Sequence, residues 1–153
     1  MEKITYEWTD GNNEDFHRFY LKTEAYYSRL VGGKNNRAAF IPYNISESIS
    51  DVLIAYCGSV AIGCAGLKRY SDADVEVKRV WIDPAFRGHH IATNLMSRLE
   101  DRSREQHYKR AILQTRPIMI DAVTLYTNRG YSLIQNYPPY DELDGAICMA
   151  KKL

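Results

Sequence analysis

The segment 80–92, VWIDPAFRGHHIA, joins the end of a predicted strand to the first turn of a long predicted helix. Such a junction directs several free backbone N–H groups and the positive end of the helix dipole at one point. Gly88 allows close approach of the backbone, while Arg87, His89 and His90 add positive charge locally. The segment therefore predicts a phosphate site, with an ordinary solvated helix start as the alternative.

A second segment, 122–131, reads AVTLYTNRGY. Together the two segments resemble the GCN5-related N-acetyltransferase (GNAT) superfamily. The first is similar to the family motif Q/R-x-x-G-x-G/A, which begins here at Arg87 and ends at Ala92, and the second is similar to A-x-x-L-Y-x-x-x-G-F/Y. The sequence departs from the family at His90, where a second glycine is usual, and at Met119, where many members have an asparagine.

The resemblance implies that acetyl-CoA is the co-substrate. In the family, backbone amides of the first motif bind the pyrophosphate, and main-chain groups of the preceding strand bind the pantetheine arm. The residues to which the resemblance assigns these roles are Val80, Ile82, Arg87, Gly88, His89, His90, Ile91 and Ala92.

The resemblance also assigns two catalytic residues. An amine with a pKa near ~10 is mostly protonated at neutral pH, so a base must take its proton before it attacks a thioester. Glu76 resembles the family glutamate that often does so; the alternative is an exposed strand carboxylate paired with Lys78 or Arg110. Tyr126 is the matching candidate for protonating the leaving thiolate; the alternative is a core aromatic residue. The thioester oxyanion would be met by a backbone N–H near Ile82.

Composition and charge limit the other function classes. With 20 Lys and Arg against 19 Asp and Glu, the net charge is +1, which disfavours non-specific binding to nucleic acid or anionic membranes. No apolar run approaches the ~20 residues of a membrane span. The odd set Cys57, Cys64 and Cys148 is typical of a reducing cytoplasm. Neighbouring His89 and His90 lack further ligands at metal spacing, so no metal site is predicted.

The predicted elements would position these residues. Apolar side chains at steps of three and four predict a first helix from Phe16 to Leu30, and the segment 34–50 leaves a second short helix open. Strand patterns follow from residue 51, and the change of parity between Val77 and Val80 predicts a β-bulge near Arg79.

Further elements complete the predicted order. They are a long helix to about His107, a strand 111–115, a helix 120–128, and strands 131–134 and 146–151. The charged run 98–110 predicts a solvated helix face. Tyrosines could line a substrate pocket or form core edges; those considered are Tyr26, Tyr27, Tyr137 and Tyr140.

These observations predict one α/β (α+β) domain over residues 1–153, with a single mixed, mostly antiparallel sheet flanked by helices. The resemblance specifies a GNAT-like acyl-CoA N-acyltransferase fold. It implies transfer of an acetyl group to a primary amine of a small molecule. Direct attack by the amine is expected, because no cysteine is placed as a nucleophile. A protein acetyltransferase acting on lysine or an N-terminus, and a non-catalytic acyl-CoA-binding regulatory module, remain alternatives. A homodimer is left open.

Overall fold

The computed structural model describes residues 2–30 and 49–153. The segment 34–50, where a second short helix was left open, therefore lies almost wholly outside the described residues. In chain order the elements are β1 (Ile4–Thr9), α1 (Glu14–Leu30), β2 (Asp51–Cys57), β3 (Val60–Arg69), β4 (Asp74–Ile82), α2 (Ile91–Glu105), β5 (Arg110–Thr115), α3 (Ile120–Asn128), β6 (Ser132–Ile134) and β7 (Ile147–Lys152). A 3-10 helix, Pro84–Phe86, precedes α2.

The strands form one mixed sheet in the order β1-β2-β3-β4-β5-β7-β6. All neighbouring pairs are antiparallel except β4 and β5, which α2 connects as the crossover that a parallel pair requires. The predicted mixed, mostly antiparallel sheet flanked by helices is therefore confirmed. The β4–β5 pairing extends only from Asp74–Arg110 to Glu76–Ile112, so the second half of β4 has no partner in β5.

The helices cover both faces of the sheet. Phe16 and Phe19 of α1 pack against one face, in a cluster that includes Trp81 of β4. On the opposite face, α2 and α3 pack against a larger cluster, to which α2 contributes Leu95 and Leu99. Because the two faces have separate apolar cores, β4 is held from both sides.

The predicted bulge near Arg79 is confirmed. The register between β3 and β4 shifts so that two residues of β4, Arg79 and Val80, lie opposite Ala65 alone. Arg79 adopts a left-handed backbone with φ of 62°. The extra residue brings Val80 into contact with the same apolar cluster as Val77, which the alternation of a regular strand would not allow.

Candidate functional site

A groove opens where β4 and β5 separate, and its cavity has a volume of about 660 Å³. Its walls come from the end of α1, the second half of β4, the loop before α2, the first turn of α2, and α3 with the two residues before it. Seven of the eight residues predicted to bind the cofactor line this groove; the exception is His89. The sequence motif and this cavity therefore coincide.

The loop before α2 presents unpaired backbone donors. Gly88 and His90 both have left-handed backbones, with φ of 85° and 60°. The first hydrogen bond of the helix runs from the N–H of Asn94 to the carbonyl of His90. In the described part of the chain, the N–H groups of residues 88–93 have no acceptor. A Cβ atom on Gly88 would meet nothing within 4 Å, so these donors face open space suited to an anion.

The left-handed backbone of His90 explains why glycine suits this position. A side chain in that conformation costs about 1–2 kcal/mol because Cβ approaches the following carbonyl oxygen. The His90 side chain makes no capping hydrogen bond that would offset this cost. The imidazole is exposed to solvent. The backbone at His90 keeps the left-handed conformation that a glycine would adopt there.

The side chain of Arg87 lies against the groove wall. Its Nε donates a hydrogen bond to the carbonyl of Ile82 at 3.2 Å. Its guanidinium carbon lies 5.1 Å from the ring centroids of both Tyr26 and Trp81, which is a cation–π geometry. The charge of Arg87 therefore lies inside the groove, beside a main-chain carbonyl that was predicted to face the cofactor.

Tyr126 lies in the last turns of α3 and is 8% exposed. Burial raises the pKa of its phenol well above the usual value of 10.0. None of the described residues forms a hydrogen bond with its hydroxyl, although its side chain borders the groove. The hydroxyl is therefore protonated at neutral pH and available to a bound molecule, as a proton donor must be.

Glu76 is buried, which corrects the alternative of an exposed strand carboxylate. Its Oε2 accepts a hydrogen bond from the hydroxyl of Tyr137 at 2.7 Å, and its Oε1 lies 3.8 Å from Nζ of Lys78. Arg110, the other proposed partner, instead donates two hydrogen bonds to Asp74, at 3.1 and 2.9 Å. The pairing with Arg110 was therefore wrong, because Arg110 lies level with the start of β4.

A second cavity, of about 100 Å³, lies next to the groove and contains Glu76 in its wall. The two cavities share five lining residues, namely Tyr27, Val80, Met119, Ala122 and Tyr126. Most of the residues around the smaller cavity are polar or charged, among them Glu24, Lys78 and Arg116. Burial lowers the pKa of Lys78. The structure thus brings Glu76 and Tyr126, 50 positions apart in sequence, to one cavity.

The three cysteines are reduced, and Cys64 and Cys148 are buried. Burial raises the pKa of the Cys64 thiol to about 12 and also raises the pKa of Cys148. Neither forms a thiolate at neutral pH, and the thiolate is the nucleophilic form. Within residues 2–30 and 49–153, no group of three His, Cys, Asp or Glu side chains could hold a metal ion, and no helix could span a membrane.

Sequence reasoning missed some partners of the site. Tyr137 and Tyr140 were considered only as possible pocket residues; Tyr140 does line the second cavity, whereas Tyr137 bonds to Glu76. Tyr26 and Tyr27 both line the groove. No local signal connects Tyr137 with Glu76, because 61 positions separate them.

Comparison with known proteins provides independent information. The profile of the acetyltransferase (GNAT) family matches residues 13–131, most of the chain. A curated protein named IAA acetyltransferase, from Azospirillum brasilense, is 26% identical over 102 residues, which are 66% of this chain and 67% of the relative.

Solved structures share the fold. A candidate acyl-CoA N-acyltransferase from Klebsiella pneumoniae superimposes with a TM-score of 0.81 at 23% identity, covering 98% of this chain and 97% of the other. The PaiA N-acetyltransferase of Thermoplasma acidophilum, solved in complex with coenzyme A, gives a TM-score of 0.76 at 15% identity over 99% and 100% of the two chains.

Proposed function

The chain belongs to the acetyltransferase (GNAT) family, and from this premise we propose that it transfers the acetyl group of acetyl-CoA directly to a primary amine of a small molecule. One observation carries the proposal. Tyr126 lies in the wall shared by two adjacent cavities, one bordered by the helix start with free N–H groups and the other by the buried carboxylate of Glu76.

The groove fits acetyl-CoA at its anionic end. Free N–H groups at residues 88–93, the positive end of the α2 dipole and the guanidinium of Arg87 suit a diphosphate. The second half of β4, which has no partner in β5, supplies main-chain groups for the amide-containing pantetheine arm, with Val80 and Ile82 in the wall. The coenzyme A bound to the Thermoplasma protein of the same fold supports this assignment.

Two side chains then handle the protons. Glu76 accepts a proton from the acceptor ammonium, directly or through water, and the free amine attacks the thioester carbonyl. A carbon–nitrogen bond forms and the carbon–sulfur bond breaks. Tyr126 donates its proton to the departing thiolate, whose pKa is near ~8.5 on the cysteine scale, and regains a proton when the attacking nitrogen loses its second one, directly or through water. A backbone N–H near Ile82, just after the bulge, stabilises the oxyanion.

The protonation and position of the cysteine thiols favour direct attack over a covalent acyl-enzyme. Cys64 and Cys148 are buried and keep their protons. Cys57 belongs to β2 and lines neither cavity. None of the three is placed to accept the acetyl group.

A small polar acceptor suits the second cavity better than a protein lysine does. Its wall carries charged groups on several sides, among them Glu24, Arg79 and Arg116. These groups can form hydrogen bonds with a polar acceptor, whereas the four methylene groups of a lysine side chain have neither donors nor acceptors. The volume of about 100 Å³ also limits the part of an acceptor that enters.

The cofactor assignment is tested with Gly88→Asp, which adds a negative charge at the proposed diphosphate site. Gly58→Asp is the matched control, since Gly58 also has a left-handed backbone, with φ of 59°, but lies in the β2–β3 turn. We expect calorimetry to show that only Gly88→Asp weakens acetyl-CoA binding. Equal affinity in the two folded variants would contradict the assignment.

The acceptor is identified by measuring coenzyme A release with a panel of small amines and lysine peptides. Small polar amines should give the faster release. Turnover of the peptides alone would favour the protein-modifying alternative. Binding of acetyl-CoA without any turnover would favour the regulatory module.

A further inference from the structure

Glu100 is buried, although the sequence predicted a solvated helix face for the run that contains it. The residue lies on α2 and is 1% exposed, whereas its neighbour Asp101 is exposed. A buried carboxylate is costly unless it is paired and hydrogen-bonded. The residues that pair with Glu100 therefore show which parts of the structure its burial connects.

Three donors from later parts of the chain converge on this carboxylate. Nζ of Lys151, on β7, lies 2.9 Å from Oε1, and the guanidinium of Arg129 forms an ion pair with the same oxygen. The hydroxyl of Tyr131 donates to Oε2 at 3.1 Å. Both oxygens of Glu100 are thus used, and α2 is connected through them to α3 and β7.

Two of the residues that bind Glu100, Arg129 and Tyr131, are also hydrogen-bonded through their backbone to Tyr126. The backbone N–H of Tyr131 donates to the carbonyl of Tyr126 at 3.0 Å, and that of Arg129 does so at 3.1 Å. The rings of Tyr126 and Tyr131 also meet edge to face, with centroids 5.9 Å apart. The residues that hold Glu100 therefore also fix the turn of α3 that carries Tyr126.

The same contact involves α2, which begins directly after residues 87–90, the cofactor loop, where the diphosphate is proposed to bind. Glu100 is nine residues after Ile91, so it lies about 14 Å along α2 at 1.5 Å per residue. A carboxylate on α2 thus restrains the residues that follow α3 and that are hydrogen-bonded to the Tyr126 carbonyl. A series of contacts therefore runs from α2 through Glu100, Arg129 and Tyr131 to the backbone of Tyr126.

From these contacts we infer that Glu100 is a positioning residue for the transfer reaction, setting the location of the Tyr126 hydroxyl relative to the cofactor loop. The inference rests on the proposed role of Tyr126. Glu100 lines neither cavity and does not touch the reacting atoms.

The test is a double-mutant cycle between Glu100→Gln and Tyr126→Phe. Glutamine keeps the shape of Glu100 but removes its charge, and thus weakens the ion pairs to Arg129 and Lys151. A displacement of about 1 Å in a reacting group can cost about 100-fold, so we expect Glu100→Gln to lower kcat about tenfold. The affinity for acetyl-CoA should stay within about threefold, because α2 and its loop remain.

The cycle separates positioning from a general loss of structure. If Glu100 acts through the Tyr126 hydroxyl, Glu100→Gln has no further effect on kcat once that hydroxyl is absent. If it only supports the fold, it lowers kcat by the same factor in both backgrounds, and the inference is overturned. Asp101→Asn, an exposed carboxylate one position along α2, is the matched control and should change neither parameter.

Two further outcomes have a definite meaning. Should Tyr126→Phe itself keep full turnover, the proposed role of Tyr126 fails and the inference fails with it. If Tyr126→Phe is impaired but the cycle is additive, only the inference fails. Should Glu100→Gln not fold, Tyr131→Phe replaces it, since it removes only the donor to Oε2; a loss of kcat confined to the background with Tyr126 is again required.

Discussion

Replacing Tyr126 by phenylalanine removes one oxygen atom from the wall that the two cavities share. No described residue is hydrogen-bonded to that oxygen, so its loss leaves no protein group unsatisfied and folding should be little affected. Losing a general acid costs about 10²- to 10⁴-fold in rate. At 1.36 kcal/mol for each tenfold, the barrier for breaking the carbon–sulfur bond should rise by about 2.7–5.4 kcal/mol.

The assay is coenzyme A release at saturating acetyl-CoA and amine, combined with calorimetry of acetyl-CoA binding. We expect kcat to fall and the affinity to remain, because the hydroxyl acts only on the leaving thiolate. Tyr6→Phe is the matched control; its ring lies 4.3 Å from the guanidinium of Arg98, and Tyr6 lines neither cavity. Retention of more than about a third of wild-type turnover by Tyr126→Phe would refute the reasoning, since the expected loss is at least ~10²-fold.

The pH dependence provides a second check on the same residue. Tyr126 must be protonated to act, and burial raises its pKa, so loss of the proton is displaced to higher pH. An unperturbed tyrosine would be half ionised near pH ~10. The wild-type kcat should therefore show no decline attributable to Tyr126 below that pH. A decline with a midpoint below pH ~10 in wild type, absent from Tyr126→Phe, would contradict the effect of burial.

Two other predictions concern neighbouring groups. Glu76→Gln should lower kcat/KM for the amine about 10²- to 10⁴-fold by removing the base, while Asp74→Asn, on the same strand but paired with Arg110, should stay within a few-fold; similar losses in both would point to a structural effect. Arg87→Ala should weaken acetyl-CoA binding several-fold at low ionic strength and less at high, as titrations at two salt concentrations would reveal. A loss independent of salt would mean that Arg87 contributes by stacking on Tyr26 and Trp81 rather than by charge.

Local patterns were sufficient for the elements and for the free N–H groups of the loop before α2. The spacing of Phe16 and Phe19 predicts α1, and the parity change between Val77 and Val80 predicts the bulge, because each depends on residues within a few positions of one another. Gly88 in a strand-to-helix loop likewise indicated a cluster of free N–H groups, since a helix start leaves its first donors unpaired by geometry.

Long-range packing decided the rest. Whether Glu76 is exposed or buried depends on Tyr137, 61 positions later, and the burial of Glu100 depends on Arg129, Tyr131 and Lys151, 29 to 51 positions later. The charge pattern around Glu100 is that of a solvated helix face. Only the tertiary fold brings the three donors that offset the cost of removing this carboxylate from water. Periodicity reports which face of an element is apolar; it holds no information about which distant polar group will meet a given side chain.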